Sequence, residues 1–568
     1  MTTQLLFDNF DLLADTPNGV AKLRELILQL AMQGKLVKQD PNDEPASVLL
    51  GKIQKEKARL IVENKIKKSN PLPPIRQDEI PFELPKGWEW TRLGSSSELI
   101  RGVSYKKQDA STIQLPNYLP ILRANNINGA INYDDLIYIP IYYIAKEQYP
   151  MKSDVLIAMS SGSKALVGKA AQIDKDFDGG FGAFCGLLRF CSTLDYRYIS
   201  WFLQSPLYRE AVSGQGQGIG INNLQKDKVR QLLMPLPPLA EQRHIVDKVD
   251  ELMALCNDLE EQKKKKQETH TTLNESVLAH MLDANDAEEF AAKWQLICDH
   301  FELLYDAPES VSKLRSAILQ LAVQGKLVKQ DPKDEPASVL LEKIHKEKVR
   351  LIVEKKIKKS EPLPPIKKDE IPYELPEEWL WVRLGGLGIT QTGTTPSTTV
   401  SEYYGNDFAF VKPADISNGH IEYRKDGLSK LGVEEGRFVP ANSVMMVSIG
   451  GSIGKVGIVN RDCSCNQQIN FISIFKALLP RFIYWIMKSA SFYKEVISQA
   501  PSTILPILSK GKWDLLLVPL PPLNEQERII KRLDQFNEMC DELEAKLTQA
   551  ESASDKFTTA VVREMVEE

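Results

Sequence analysis

Val20–Gly94 reads VAKLRELILQLAMQGKLVKQDPNDEPASVLLGKIQKEKARLIVENKIKKSNPLPPIRQDEIPFELPKGWEWTRLG, and Val311–Gly385 reads VSKLRSAILQLAVQGKLVKQDPKDEPASVLLEKIHKEKVRLIVEKKIKKSEPLPPIKKDEIPYELPEEWLWVRLG. The two align without a gap at a constant offset of 291, and about three quarters of the positions match. The repeat reaches further upstream: FDLLADTPNGVAKL from Phe10 is matched by FELLYDAPESVSKL from Phe301. A second phrase also recurs, MPLPPLAEQRHIVDKVDELMALCNDLEEQ from Met234 and VPLPPLNEQERIIKRLDQFNEMCDELEAK from Val518. Between the two phrases each half holds a stretch of similar length and unlike sequence. The chain is therefore a tandem of near-identical frames around two different inserts. A fixed frame with unlike cargo is the pattern of a device presenting two recognition surfaces in a symmetric setting.

The 568 residues, 43% hydrophobic and 26% charged, suit a soluble globular chain of several domains. No run of about 18 apolar residues occurs, so no membrane span is expected. The start, MTTQLLFDNF, has no basic segment and is not read as a secretory signal. The seven cysteines form no CxxC, and Cys463 and Cys465 are too close for a zinc knuckle. Cys256 and Cys540 fall on apolar helix faces and are expected to be buried thiols. The net charge is −5, but Trp88–Leu233 carries 16 Lys and Arg against 13 Asp and Glu, and Trp379–Leu517 carries 14 against 10. Basic inserts in acidic frames fit inserts that meet phosphate.

Helical spacing of Leu23, Leu26, Ile27, Leu30 and Ala31 predicts a helix stopped at Gly34. Pro45 opens a second, carrying Val48, Leu49, Ile53 and Ile61. KIKKSNPLPPIRQDEIPFELP reads as an extended surface connector. In the first insert YLPIL, LIYIPIYYI, DVLIAM and GLLRF read as strands, with a helix near YISWFLQSPLYREAV. In the second the strands are FAFV, SVMMVSI and NFISIF, with a helix near RFIYWIMKSASFYKEVI. Laying DVLIAMSSGSKALVGKAAQI over NSVMMVSIGGSIGKVGIV places Gly168-Lys169 on Gly454-Lys455. The inserts are thus expected to share one mixed α/β fold. After each, a long helix shows a heptad seam: Ile245, Val249, Leu252, Cys256 and Leu259 in the first, and Ile529, Leu533, Phe536, Cys540, Leu543, Leu547 and Ala550 in the second. The seams are expected to pair with each other, against the alternative that each helix lies on its own domain. Lys263–Lys266 interrupts the first seam and reads as a solvated face.

Catalytic patterns are missing. The six histidines are scattered, with no HExxH and no nucleophile elbow. GGSIGK at Gly450–Lys455 fails the P-loop spacing and reads as a tight strand turn. There is no G-x-G-x-x-G and no Asn/Asp-Pro-Pro-aromatic motif, so the chain is expected not to be an enzyme.

PLPPLAEQ and PLPPLNEQ, each leading into a heptad helix, resemble the specificity subunit of type I restriction–modification enzymes over essentially the whole chain. In the first insert LIRGVSYKK, YLPILRANNINGAI, IAMSSGSKALVGK, GAFCGLLRF and INNL are similar to the amino-terminal recognition domain of K-family enzymes. TGTTPS, FVKPADISNGHI, GSIGKVGI and CNQQIN in the second are similar to another recognition-domain group. The chain departs from many members in carrying QGKLVKQDPNDEPASVLLGKIQKEK before both inserts.

The resemblance implies two α/β target-recognition domains in tandem, separated by long helices paired as an antiparallel coiled coil, with pseudo-two-fold symmetry. The divisions expected are a helical region at 1–70, recognition domain 1 at 71–237 and a central helix with connector at 238–300. The repeated helical region follows at 301–361, recognition domain 2 at 362–521 and a final helix at 522–568. Each recognition domain would read half of a split DNA site. The implied partners are double-stranded DNA, two methyltransferase subunits using adenosylmethionine, and two restriction subunits using ATP and magnesium, in the cytoplasm of a bacterium or archaeon.

Base edges are read by Arg, Lys, Asn and Gln, and phosphate by small polar and basic groups. The candidates in the first insert are Arg101, Lys106, Lys107, Arg123, Asn125, Asn126, Ser160, Ser161, Lys164, Lys169, Asn222 and Asn223, the last two after the loop GQGQGIG. In the second they are Thr392, Thr394, Lys412, Lys455, Asn466, Gln467, Gln468, Lys510 and Lys512. Asn466 could equally cap a turn, and Asp415 is expected to orient a neighbour. Two other readings stay open: a self-sufficient modification enzyme, and a helical scaffold whose inserts bind protein.

Overall fold

A computed structural model describes every residue except 1–9, 64, 65, 67, 69, 162–165, 214–221, 360, 418, 424–426, 501–504 and 568. The chain divides into two units, one holding 1–265 and 551–568, the other 266–550.

In the first unit the frame supplies helices Gly19–Met32 and Ala46–Val62. Helix Gly19–Met32 turns Leu23, Leu26, Ile27, Leu30 and Ala31 into the core, and Gly34 follows at φ +70, the left-handed stop that glycine tolerates. The insert is then closed by a two-stranded ribbon. Glu89–Arg92 pairs antiparallel with Leu233–Leu236, so Trp90 lies opposite Pro235. The second unit repeats this with Leu380–Arg383 on Leu517–Leu520. Each insert therefore leaves and re-enters its frame at one place.

Within the inserts the main sheets have the same order. Ser97–Arg101, Cys185–Phe190, Val155–Ala158 and Ala170–Gln172 form an antiparallel four-stranded sheet. Gly388–Thr392, Ile469–Ile474, Val444–Val447 and Val456–Ile458 match it strand for strand. A second sheet in each carries one parallel pair, Gly180–Phe181 on Tyr118–Leu122 and Cys463–Cys465 on Phe408–Val411. The expected glycine overlay is met by backbone bonds: Gly168 N donates to Ala158 O at 2.8 Å, and Gly454 N to Val447 O at 2.9 Å. Each segment read as one helix is two. Tyr196–Phe202 gives way to Pro206–Ser213 and Pro480–Lys488 to Ala490–Gln499, broken where Pro206 follows Ser205 and where Ser489 caps the next helix.

The long helices are Leu239–Leu282 and Leu523–Glu567, of 44 and 45 residues. The first begins in the first unit and ends in the second; the second begins in the second unit and ends in the first. The head of each seam is buried in its own unit: Ile245, Val249, Leu252 and Cys256 lie in the cluster of Leu23 and Leu26, and Ile529, Leu533, Phe536 and Cys540 in that of Leu314 and Ile318. Leu259 and Leu543 are partly buried at the margins. Arg24 holds Asn257 and Glu260 at 2.7 Å each, and Arg315 holds Asn537 at 2.7 Å and Asp541 at 2.8 Å. The tails are exchanged. Lys22 pairs with Asp555 on the second helix at 2.6 Å, and Lys313 with Glu275 on the first at 2.7 Å. Met565 and Met281 are each fully buried there.

Two expectations need correction. Lys263 is no idle member of a solvated face: its ammonium donates to the carbonyls of Ala14, Asp15 and Thr16 at 3.4, 3.3 and 3.0 Å, satisfying the end of helix Phe10–Asp15. The proline connector is pinned rather than merely solvated. Arg92 donates to Pro73 O, Pro74 O, Gln231 O and Glu79 at 2.7–3.0 Å, and Arg383 to Pro364 O, Pro365 O, Leu515 O and Glu370. Among the described residues no helix is long and apolar enough to cross a membrane.

Candidate nucleic-acid interface

Strand Tyr118–Leu122 ends in a short 3-10 turn, Ala124–Asn126. Asn126 Oδ1 accepts from Arg123 N at 2.8 Å, and its Nδ2 donates to Asn132 O and Asp134 O, both at 3.0 Å. The second insert builds the same turn after Phe408–Val411, where Asp415 accepts from Lys412 N at 2.8 Å. Asp415 thus orients Lys412, as expected, and Arg123 and Lys412 hold equivalent places. Asn126 is a correction: buried and bonded through both amide atoms, it shapes the loop instead of facing a ligand.

The first insert gathers a cleft of about 700 Å³ above this turn. Among its lining residues are the candidates Lys107, Arg123, Asn125, Ser160 and Ser161, with Ser104, Tyr105 and Phe184 beside them. Arg123 also meets Asp135 at 3.3 Å, and Asn125 Nδ2 donates to the same carboxylate at 3.2 Å. Ser160 and Ser161 belong to a short ladder in which they pair with Asn223 and Asn222. Lys106 is exposed between the lining residues Tyr105 and Lys107, and Arg101 is exposed at the end of strand Ser97–Arg101. Lys169 does not line the cleft. Lys164 and the loop 214–220 lie outside the described residues.

In the second insert the candidates divide. Lys412 is exposed, with its ammonium 6.0 Å from the Phe410 ring centre. Thr392 donates to buried Asn470 at 2.7 Å. Thr394 N donates to Cys465 O at 3.0 Å, as Val103 N does to Phe181 O at 2.7 Å, which sets Thr394 in the place of Val103. Asn466 does cap its turn: its Oδ1 accepts from Gln468 N at 3.1 Å, while its Nδ2 donates to Gln468 Oε1 at 2.9 Å. Gln467 accepts from Thr395 at 2.5 Å. Lys455 is exposed in the Gly450–Lys455 turn, which joins two strands as the motif spacing predicts. Lys510 and Lys512 are turned to their own fold, toward Asp514 at 2.6 Å and Gln499 O at 2.9 Å. Sequence reasoning missed Tyr105 and Phe184. The signal was available in GAFCG, where an aromatic sits in a glycine turn just ahead of a buried strand.

Two unlike inserts on one fold, each offering a cation over the same turn, are the arrangement of a paired reader. The family model for the type I restriction modification DNA specificity domain matches residues 85–268 and 376–550. The chain belongs to this family. Its domain recognises DNA and is not catalytic. The type I restriction enzyme EcoAI specificity subunit of Escherichia coli is 34% identical, over 96% of this chain and 94% of that protein. The EcoKI specificity subunit of Escherichia coli strain K12 is 26% identical, over 84% of this chain and 88% of its own length. A solved structure concerning complex assembly and conformational transition of the type I R-M system shares the fold, with a TM-score of 0.50 and 18% identity, covering 86% of this chain and 99% of that one.

Proposed function

We propose that this chain supplies the DNA sequence specificity of a type I restriction–modification system. The observation that carries the reading is that both inserts match the specificity domain while presenting different side chains from equivalent loops. Each insert reads one half of a split, asymmetric site. Arg123, Lys107 and Lys412 meet phosphate and fix register, and neighbouring polar and aromatic side chains meet base edges. The long helix, about 66 Å at 1.5 Å per residue, sets the unread spacer.

The two frames each dock one methyltransferase subunit, which brings adenosylmethionine. Two restriction subunits bring ATP and magnesium. The work is done in the cytoplasm. This chain contributes no bond-making group; its residues hold the DNA and position the partners.

The test is adenine-methylation mapping across the genome of cells expressing this chain with its methyltransferase partner, against cells lacking this chain. The expected result is a split motif that disappears with the chain. A motif that persists without it overturns the reading.

A further inference from the structure

Phe184 is 64% exposed although it lines the cleft and stands between the buried residues Gly182 and Cys185. Its backbone is fixed. Gly182 N donates to Leu122 O and Cys185 N to Gly182 O, both at 2.8 Å, while Phe184 O accepts from Met159 N at 2.8 Å and Ser160 N at 3.1 Å. The turn thus holds Phe184 largely out of the core. The second insert repeats three of these four bonds. Asn466 N donates to Val411 O at 3.1 Å, Ile469 N to Asn466 O at 3.2 Å, and Gln468 O accepts from Ser448 N at 2.7 Å. Gln468 therefore stands where Phe184 stands, with Asn466 holding its amide in a set orientation.

We propose that this turn position is a base reader in both halves: Phe184 makes apolar contact with the methyl group of a thymine, and Gln468 makes paired hydrogen bonds with an adenine. The proposal rests on the specificity reading and adds to it the residue and the base. The chemistry follows from the two side chains. A ring with no polar atom can distinguish a base pair in the major groove only by the thymine methyl, whereas an amide offers one donor and one acceptor, the pattern that adenine matches. Lys107 and Arg123 on the same cleft supply the cations that bring a duplex to this turn.

The experiment uses the full chain assembled with its methyltransferase partner. Binding is measured on duplexes carrying the motif of the wild-type complex, with each base pair replaced in turn. Phe184→Ala is expected to reduce discrimination by about tenfold or more at one or two adjacent pairs of one half-site, leaving the other half unchanged. Gln468→Ala is expected to do the same in the other half. Phe184→Gln, a second variant at a mostly exposed position, is expected to move the preference at that pair from thymine to adenine. Equal weakening on every duplex, or an unchanged profile in both alanine variants, overturns the proposal. A wild-type complex with no preference among duplexes overturns the specificity reading itself, and this assignment with it.

Discussion

Trp88 and Glu241 are 153 positions apart, yet the indole Nε1 donates to the carboxylate Oε2 at 2.9 Å in a buried contact. Trp379 and Glu525 repeat it at 3.0 Å. These glutamates are the Glu of PLPPLAEQ and PLPPLNEQ, so the phrase that ends each insert is locked to the tryptophan that begins it. The next residue completes the lock: Gln242 donates to Pro237 O at 2.9 Å and Gln526 to Pro521 O at 3.0 Å. Burial pushes both carboxyls above the ordinary value of 4.5, against the lowering effect of the tryptophan bonds.

Because the folded value is raised, the folded state holds these protons more tightly than the unfolded chain does. The stabilising contribution is complete below pH 4.5 and is lost as pH rises through the folded value. Glu241→Gln with Glu525→Gln keeps an acceptor for each indole and removes this loss. The double variant is expected to unfold at a denaturant midpoint that does not decline on this account between pH 4.5 and 7, whereas the parent chain does. Glu241→Ala leaves a buried indole N–H unpaired and is expected to cost about 1–3 kcal/mol near pH 4.5, a cost that shrinks toward pH 7 as the parent loses the carboxyl's own contribution.

Gly168 and Gly454 occupy the same turn at φ +78 and +87, but their surroundings differ. A Cβ at Gly168 would lie 2.2 Å from Cγ1 of Val212, which is buried. One at Gly454 would lie 2.5 Å from Cδ2 of Tyr493, a residue 47% exposed and so with room to move aside. Gly454→Ala is expected to cost about 1–2 kcal/mol from backbone strain alone. Gly168→Ala adds overpacking of about 1–3 kcal/mol. Chemical unfolding of the two variants should rank them in that order, and equal costs would contradict the packing described.

Much of this architecture was legible because it repeats. An offset of 291 in the frame and aligned glycines in the inserts are independent of any side-chain detail. The site was less legible because polar residues in loops serve two masters. Asn125 and Asn126 are neighbours of one type, yet the first is exposed on the cleft and the second is buried beneath it. Only the backbone path, which places the side chain of Asn126 within reach of Asn132 O and Asp134 O, tells them apart. Phe184 failed in the opposite sense: its apolar character reads as core, and the bonds that hold it outward come from Leu122 and Met159, distant in sequence.

Phosphate contact has a measurable signature in salt. Lys107 and Lys412 are exposed cations on the two inserts. Replacing either by Gln is expected to weaken DNA binding about equally on matched and mismatched duplexes. Each change should lower the slope of log affinity against log salt by about one. Binding titrations from low to physiological salt would show this, and a slope unchanged in both variants would remove these two residues from the phosphate contacts.

The exchanged helix tails make a prediction about where damage appears. Residues 551–568 are covalently continuous with the second unit but belong to the first, where Met565 is fully buried and Asp555 holds Lys22. Surface ion pairs contribute little, about 0–1 kcal/mol, so the apolar contact should dominate. Met565→Ala is therefore expected to cost about 2–5 kcal/mol. Ending the chain after Ala550 should cost the first unit at least as much. Hydrogen exchange would locate the loss. Amides of helix Gly19–Met32, which packs in the cluster of Met565, should lose protection, while those of helix Pro308–Val323 should keep theirs. Loss confined to the second unit, whose chain the truncation directly shortens, would mean that the tail serves the unit it grows from and that the exchange described here is wrong.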